Sequence, residues 1–376
     1  MRLKPIAQKL LLLLATILIA LIIGEVAVRL VTPQRLVRGY FAADPELGNV
    51  VLPNREFVDR ESASSYHVST NRDGFRMRDE VDLSPERRRI LVVGDSYVFG
   101  WGVDAEDSFF TLVDRNAREA LPSVQLLNAG VGAYSTGHAY KTLARRAEDL
   151  DLSAAIYFMN SNDLADNLVS GIDYRVTSYR RLIDGTIELR DEHVYSPLKR
   201  FLFARTPYGW LNRHSHLFIL IKRAVGGAGR DDQTRAFGLD TESLGDRELA
   251  IDVMLAHVDR LQGLAAAREL PLLIVWIPAW TELFQSENDA NEVFGELKEA
   301  LGHANRPEFF DPVPGMREAV DAARVELLDV FLPDGQPVGH FSERGNELYA
   351  EAVEERVIRF LRGISTENDG TEAEAP

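Results

Sequence analysis

Arg89-Ile-Leu-Val-Val-Gly-Asp-Ser-Tyr-Val-Phe-Gly100 is the stretch on which the reading of this chain turns. Residues 90–93 form an apolar run rich in β-branched side chains, the pattern of a strand buried on both faces. Gly94 breaks the run, and Asp95 and Ser96 follow where a strand hands over to a turn. In an open α/β sheet, ligands bind in the crevice at the carboxyl ends of the strands, so Ser96 stands where a nucleophile belongs. Aspartate and serine are also helix-capping residues. These residues alone leave both readings open.

The surrounding pattern alternates. Strand-like runs at 124–127, 154–159, 272–277 and 325–330 are interleaved with helical stretches at 108–119, 136–149, 246–268, 291–301, 314–323 and 342–361. Strands alternating with helices imply βαβ units and a parallel sheet covered on both faces. Residues 164–244 interrupt the alternation. Within them, 174–190 alternates like a hairpin turning at Asp184-Gly185, and 210–221 is aromatic and apolar, ending in Lys222 and Arg223. Residues 226–240 read as loop. An insertion of this length suits a lid or substrate wall, a piece lying on a membrane, or a helix pair packed on the core.

Three further stretches carry candidate chemistry: Asn128-Ala-Gly-Val-Gly-Ala-Tyr-Ser-Thr136, Met159-Asn-Ser-Asn-Asp163, and Asp334-Gly-Gln-Pro-Val-Gly-His340-Phe-Ser-Glu-Arg-Gly345. Taken in order with Gly94-Asp95-Ser96, they resemble the sequence blocks of the GDSL/SGNH hydrolase family, from about Arg89 to Arg362. The α/β-hydrolase elbow Gly-x-Ser-x-Gly is not met, because Val98 replaces its second glycine. The resemblance implies a three-layer α/β/α, flavodoxin-like fold with a parallel sheet. It implies Ser96 as nucleophile, His340 as base, and an oxyanion hole from the Ser96 N–H, the N–H of Ala133 or Gly132, and the Asn162 amide. In the family a glycine usually fills the Ala133 position and opens the third block, where this chain has Asn160. The family acid usually precedes the histidine by three residues. Pro337 holds that place here, so Asp334 is the nearest acid and Asp329 the reserve.

The N-terminal end carries a different signal. An apolar segment from Leu10 to about Val31 is long enough, at roughly 20 residues, to span a bilayer. Arg2, Lys4 and Lys9 precede it, and positive charge before a first span keeps that end cytoplasmic. The alternative is a cleaved signal peptide, for which Gly24-Glu-Val-Ala27 is a poor cleavage site. The chain therefore divides into a basic tip and anchor (1–33), a β-rich lead-in (34–88), a hydrolase-like domain (89–363) with the 164–244 insertion, and an acidic disordered tail (364–376). In the lead-in, Asp44-Pro-Glu-Leu-Gly48 and Asn71-Arg-Asp-Gly-Phe-Arg76 resemble the corresponding segment of membrane-anchored bacterial members of the family, where it packs on the core. Both are also ordinary turn chemistry.

Across 376 residues the formal charge is −16, which argues against a nucleic-acid surface. With no cysteine, disulfides, zinc-thiolate sites and cysteine nucleophiles are excluded. His214 and His216 lack an evident third ligand, and no glycine-rich phosphate loop occurs. Neither a metal nor a cofactor is expected. Taken together, the sequence predicts a single-pass protein of the cytoplasmic membrane with an extracytoplasmic serine esterase domain. The expected partners are the membrane and an ester-bearing small molecule, or an O-acyl group on an envelope glycan or lipid. The alternatives are an O-acyltransferase with the same machinery, or a non-catalytic envelope assembly or glycan-binding protein on the same fold.

Overall fold

The computed structural model describes residues 5–34, 36, 40–60, 65–168, 176–192, 195–226, 247–285, 288–303, 307–335 and 338–369. They group into two compact units, Met1–Ala43 with Tyr195–Gln233, and Asp44–Val194 with Thr234–Pro376.

Among the described residues, the second unit is built on five parallel strands: β5 (Arg88–Val93), β6 (Val124–Asn128), β7 (Leu152–Asn160), β10 (Leu272–Ile277) and β11 (Glu308–Phe310). Their order in the sheet is β11-β10-β7-β5-β6. Counted along the chain, that is the 2-1-3-4-5 order of flavodoxin-like doubly wound sheets, the α/β class expected. β5, β6 and β10 are buried almost throughout, and β7 is buried from Ala154 onward. Continuous apolar runs, rather than alternation, are what a sheet covered on both faces requires.

Helices flank the sheet in two groups. α4 (Thr136–Asp149) lies on β5 and β7, and α9 (Arg247–Ala267) packs on it together with α5 (Asp163–Leu168). α3 (Phe109–Ala120) lies against β6 and packs on the long α14 (Glu343–Asp369), which also meets α12 (Val313–Ala323) and α13 (Leu327–Val330). The face of α3 explains its position. Phe109, Phe110, Val113 and Ala117 are buried at near-helical spacing, while Ser108 caps the start by accepting from Thr111 N–H.

Two expectations fail here. Residues 325–330 are not a strand: Leu327–Val330 is the short helix α13, started by Asp329 accepting from Glu326 N–H at 2.7 Å. The fifth strand is instead β11, three residues long at the sheet edge. The tail expected to be disordered from 364 is helical as far as Asp369, within α14, and 370–376 lie outside the described residues.

The lead-in contains short strands β1 (Phe41–Asp44) and β2 (Gly48–Val51), then the antiparallel pair β3 (Arg55–Asp59) and β4 (Tyr66–Thr70). The expected hairpin in the insertion is present as β8 (Thr177–Arg181) and β9 (Ile187–Asp191), turning at Asp184-Gly185. The expected loop at 226–240 lies almost wholly outside the described residues.

Among the described residues, the first unit holds α1 (Pro5–Val31) and three short helices, α6 (Pro197–Arg205), α7 (Tyr208–His214) and α8 (His216–Gly226). The most apolar window of Ala7–Val31 has a mean hydropathy of 2.8, with no residue buried inside the protein. By length and composition α1 can cross a membrane or serve as a signal sequence.

Candidate active site

All five strands are parallel, so the loops after β5, β6 and β7 open on one edge. The chain order reverses beside β5, with β6 on one flank and β7 on the other. This switch point is where open α/β sheets bind ligands.

After β5 the chain makes one helical turn, α2 (Ser96–Phe99), closed by Gly100 in the left-handed region at φ 77°. Asp95 caps it: one carboxylate oxygen accepts from Tyr97 N–H at 2.9 Å. Capping thus falls to Asp95, which leaves the first helical residue, Ser96, to present its hydroxyl to the sheet edge. Behind this turn the backbone is held tightly. Asn128, at the end of β6, donates to the Val98 carbonyl at 2.9 Å. A Cβ on Gly130 would come within 2.5 Å of Phe99 N, so only glycine lets the second loop pass this close. The lead-in contributes Arg76, buried against the same turn. Its guanidinium donates to the carbonyls of Phe99 and Gly100, and to Val103 O at 2.7 Å.

His340 reaches Ser96 from a separate hairpin. Leu332 N–H donates to His340 O at 2.7 Å, Gly339 N–H donates to Leu332 O at 3.0 Å, and Phe331 bridges Phe341. This fold-back explains how an acid six residues before the histidine still meets it. Asp334 Oδ2 lies 2.7 Å from His340 Nδ1, and Asp334 Oδ1 accepts from the His340 backbone N–H at 2.9 Å. A Cβ on Gly339 would lie 2.2 Å from Asp334 Oδ1, so this position too needs glycine. His340 Nε2 then stands 2.7 Å from Ser96 Oγ. An ionised carboxylate only accepts, so the proton sits on Nδ1 and the Nε2 lone pair faces the serine hydroxyl. Asp329, the reserve acid, is spent on capping α13. Pro337, at the usual family position of the acid, lies outside the described residues.

Asn162 lies two residues beyond β7, and its amide donates to the free oxygen of Asp95 at 3.1 Å. An amide nitrogen carries two hydrogens, so one remains for a ligand. Gly132 is buried and Ala133 exposed. Ala133 has φ 66°, a left-handed conformation glycine adopts more cheaply by about 1–2 kcal/mol.

Two aromatic residues on His340 carry no signal in the sequence patterns above. Trp101 stacks on its ring with centroids 5.6 Å apart and planes at 26°. Tyr97 lies 5.2 Å from the ring and donates to Gly339 O at 2.9 Å. An indole face favours a cation, so Trp101 suits a histidine that becomes protonated during a reaction. Neither residue follows a periodic pattern. The tyrosine directly after the serine is the one available hint.

Around the α2 turn stand three carboxyl groups. Burial pushes Asp95 up, though the nearby Tyr97 N–H and His340 oppose it. Burial, and next the Asp95 charge, push Asp163 well up. Asp163 accepts from Tyr157 Oη at 2.7 Å and from Asn160 N–H at 3.1 Å. Burial and then Asp95 push Asp166 up to about 7. Between its ordinary value of about 4 and 7, Asp166 keeps its proton in the folded state and loses it in the unfolded state. Its contribution to stability is therefore complete below about pH 4 and falls as pH rises to 7. Asp166→Asn should raise stability at pH 8 by about 1–2 kcal/mol, a modest figure because the side chain is only half-buried. It should leave melting at pH 4 unchanged. Equal shifts at both pH values would refute the assignment.

No protein-family model matches the chain, and no curated protein matches it. Among solved structures, the chain is similar to a member of the lipolytic protein G-D-S-L family from Veillonella parvula, at 14% identity and a TM-score of 0.37, over 71% of this chain and 97% of that one. It is similar to an acetyl xylan esterase at 13% identity and TM-score 0.39, over 72% and 99%. A psychrotrophic esterase from Pseudoalteromonas sp. gives 11% identity and TM-score 0.36, over 73% and 99%. Likenesses this distant carry no argument about chemistry, which rests on the geometry above.

Proposed function

We propose that this protein is a serine ester hydrolase of the GDSL/SGNH type, held to a membrane by α1 with its globular part outside the cytoplasm. The observation that carries the reading is the hydrogen-bonded line from Asp334 through His340 to Ser96 at the carboxyl edge of the sheet. A serine hydroxyl attacks a carbonyl only when a base removes its proton. His340 Nε2 takes that proton as the Ser96 Oγ–carbonyl bond forms, and Asp334 stabilises the imidazolium. The negative oxygen of the tetrahedral intermediate meets the Ser96 N–H, the N–H of Gly132 or Ala133, and the free hydrogen of the Asn162 amide. His340 then protonates the departing alcohol. Water, activated by the same histidine, releases the acid from Ser96.

Asn162 tests the oxyanion assignment. Asn162→Ala should lower kcat for acetyl- and butyryl-nitrophenyl esters by about 10²–10³-fold with little change in KM. An unchanged kcat would remove Asn162 from the site. Release of acid without an added acceptor supports hydrolysis. Turnover that requires a sugar hydroxyl would instead make the protein an acyltransferase.

The proposed location rests on α1 and on the basic residues at its N-terminal end, Arg2, Lys4 and Lys9, which precede the apolar segment. An envelope O-acyl ester on a glycan or lipid is the substrate class that this location favours. Protease added to intact spheroplasts should remove the globular part. Protection there, with digestion after lysis, would reverse the topology.

A further inference from the structure

Glu25 lies inside the apolar helix α1, six residues before its end. At 1.5 Å per residue it sits about 9 Å below the end of the span. A carboxylate at such depth is costly unless it is partnered. Its partners come from the start of α8, about 190 residues away in sequence. Ser215 Oγ donates to Glu25 at 2.7 Å, and the backbone N–H groups of His216 and Leu217 each donate at 2.9 Å. Arg29, one turn along α1, adds a fourth donor at 2.6 Å. Each side meets a need of the other: the first N–H groups of a helix have no partner within it, and the carboxylate supplies one. Gly24 brings the helices close, since a Cβ there would stand 3.1 Å from Leu217. Gln34, just past the span, receives Arg223 at 3.1 Å and donates its N–H to His216 Nδ1 at 2.8 Å.

α8 is therefore tied at the depth where α1 leaves the apolar layer, and what it exposes there is apolar. At 100° per residue, Leu217, Leu220, Ile221 and Val225 fall within an arc of about 140°. Leu217 packs beside Gly24 of α1, so the arc continues the surface of the anchor. Ile221 is 49% exposed and Val225 83%. In α6 and α7, Phe201 is 58% and Trp210 55% exposed. Lys199, Arg200, Lys222 and Arg223 stand on the same helices. An apolar face with basic heads beside it is the composition of a helix lying in the interface of an anionic bilayer.

We propose that α6–α8 form a second membrane contact, embedded in the leaflet through which α1 emerges, with Glu25 as the latch. The proposal rests on the reading of α1 as a bilayer-spanning anchor. The absence of cysteine makes the test direct. Full-length Leu18→Cys, Ile221→Cys and Val225→Cys variants, labelled with bimane, are placed in vesicles of phosphatidylethanolamine and phosphatidylglycerol containing brominated lipid. Labels at 221 and 225 should be quenched by lipid bromine at least half as strongly as the label at 18, and by iodide less than half as strongly as free dye. Glu25→Ala should raise iodide quenching at 221 and 225 at least twofold while leaving position 18 unchanged. Iodide quenching at 221 and 225 equal to free dye, with position 18 still lipid-quenched, would overturn the second contact and keep the anchor. Shielding from both quenchers would mean that protein, a second copy of the chain included, covers the face, and would also overturn it. Failure of lipid bromine to reach position 18 would overturn the anchor reading itself. Unchanged quenching in Glu25→Ala would refute the latch.

Discussion

Ser96→Ala should abolish ester turnover, by about 10⁴–10⁶-fold in kcat, while melting stays close to that of the parent protein. The hydroxyl is the attacking atom in the proposed mechanism. The seryl oxygen contacts His340 Nε2, and the α2 turn is held by Asp95, Asn128 and Arg76 rather than by that hydroxyl. The fold should therefore survive its loss. His340→Ala should cost nearly as much, because nucleophile and base act as one unit, and the double variant should be little worse than either single one. Nitrophenyl butyrate hydrolysis at saturating substrate measures all three. Losses that multiply in the double variant would mean that the two residues do not act together.

Asp334→Asn should lower kcat by about 10³–10⁴-fold, less than loss of the serine or the histidine. The carboxylate holds His340 at two points, Nδ1 and the backbone N–H. An amide can keep the second contact, but its NH2 group facing Nδ1 would favour the tautomer with the proton on Nε2, where the lone pair is needed. Asp329→Asn should leave kcat unchanged, since that side chain caps α13. The ratio between the two variants is the informative quantity. A silent Asp334→Asn beside a damaging Asp329→Asn would move the acid and leave the rest of the mechanism in place.

How much of this is legible in the sequence depends on length of signal. The strands β5, β7 and β10 contain apolar runs of four or more residues and stand out, and β6 shows as Val124, Leu126 and Leu127 around a single Gln125. β11 is Glu308-Phe-Phe310, too short and too much at the edge to do so. Val325-Glu-Leu-Leu-Asp-Val330 carries four apolar residues in six, which suits either a strand or one turn of helix. The Glu326–Asp329 spacing that caps α13 decides it, with Leu328 left exposed. In the site, Ser96, His340 and Asn162 come from short motifs. Asp334 is recognisable only as the nearest acid, because nothing local indicates that Leu332 and His340 pair and fold the loop back. Trp101 on His340, Arg76 under the α2 turn and Glu25 at the start of α8 depend on contacts between distant segments. Periodicity and spacing carry no trace of such contacts.

Reaction of the full-length protein with a fluorophosphonate tests the central claim most directly, because the reagent bonds only to a serine made nucleophilic by its surroundings. One adduct per chain is expected, on the peptide containing Ser96, formed rapidly in the parent protein and lost in both Ser96→Ala and His340→Ala. No adduct on that peptide from folded protein, or labelling that survives His340→Ala at the parent rate, would contradict the proposed mechanism.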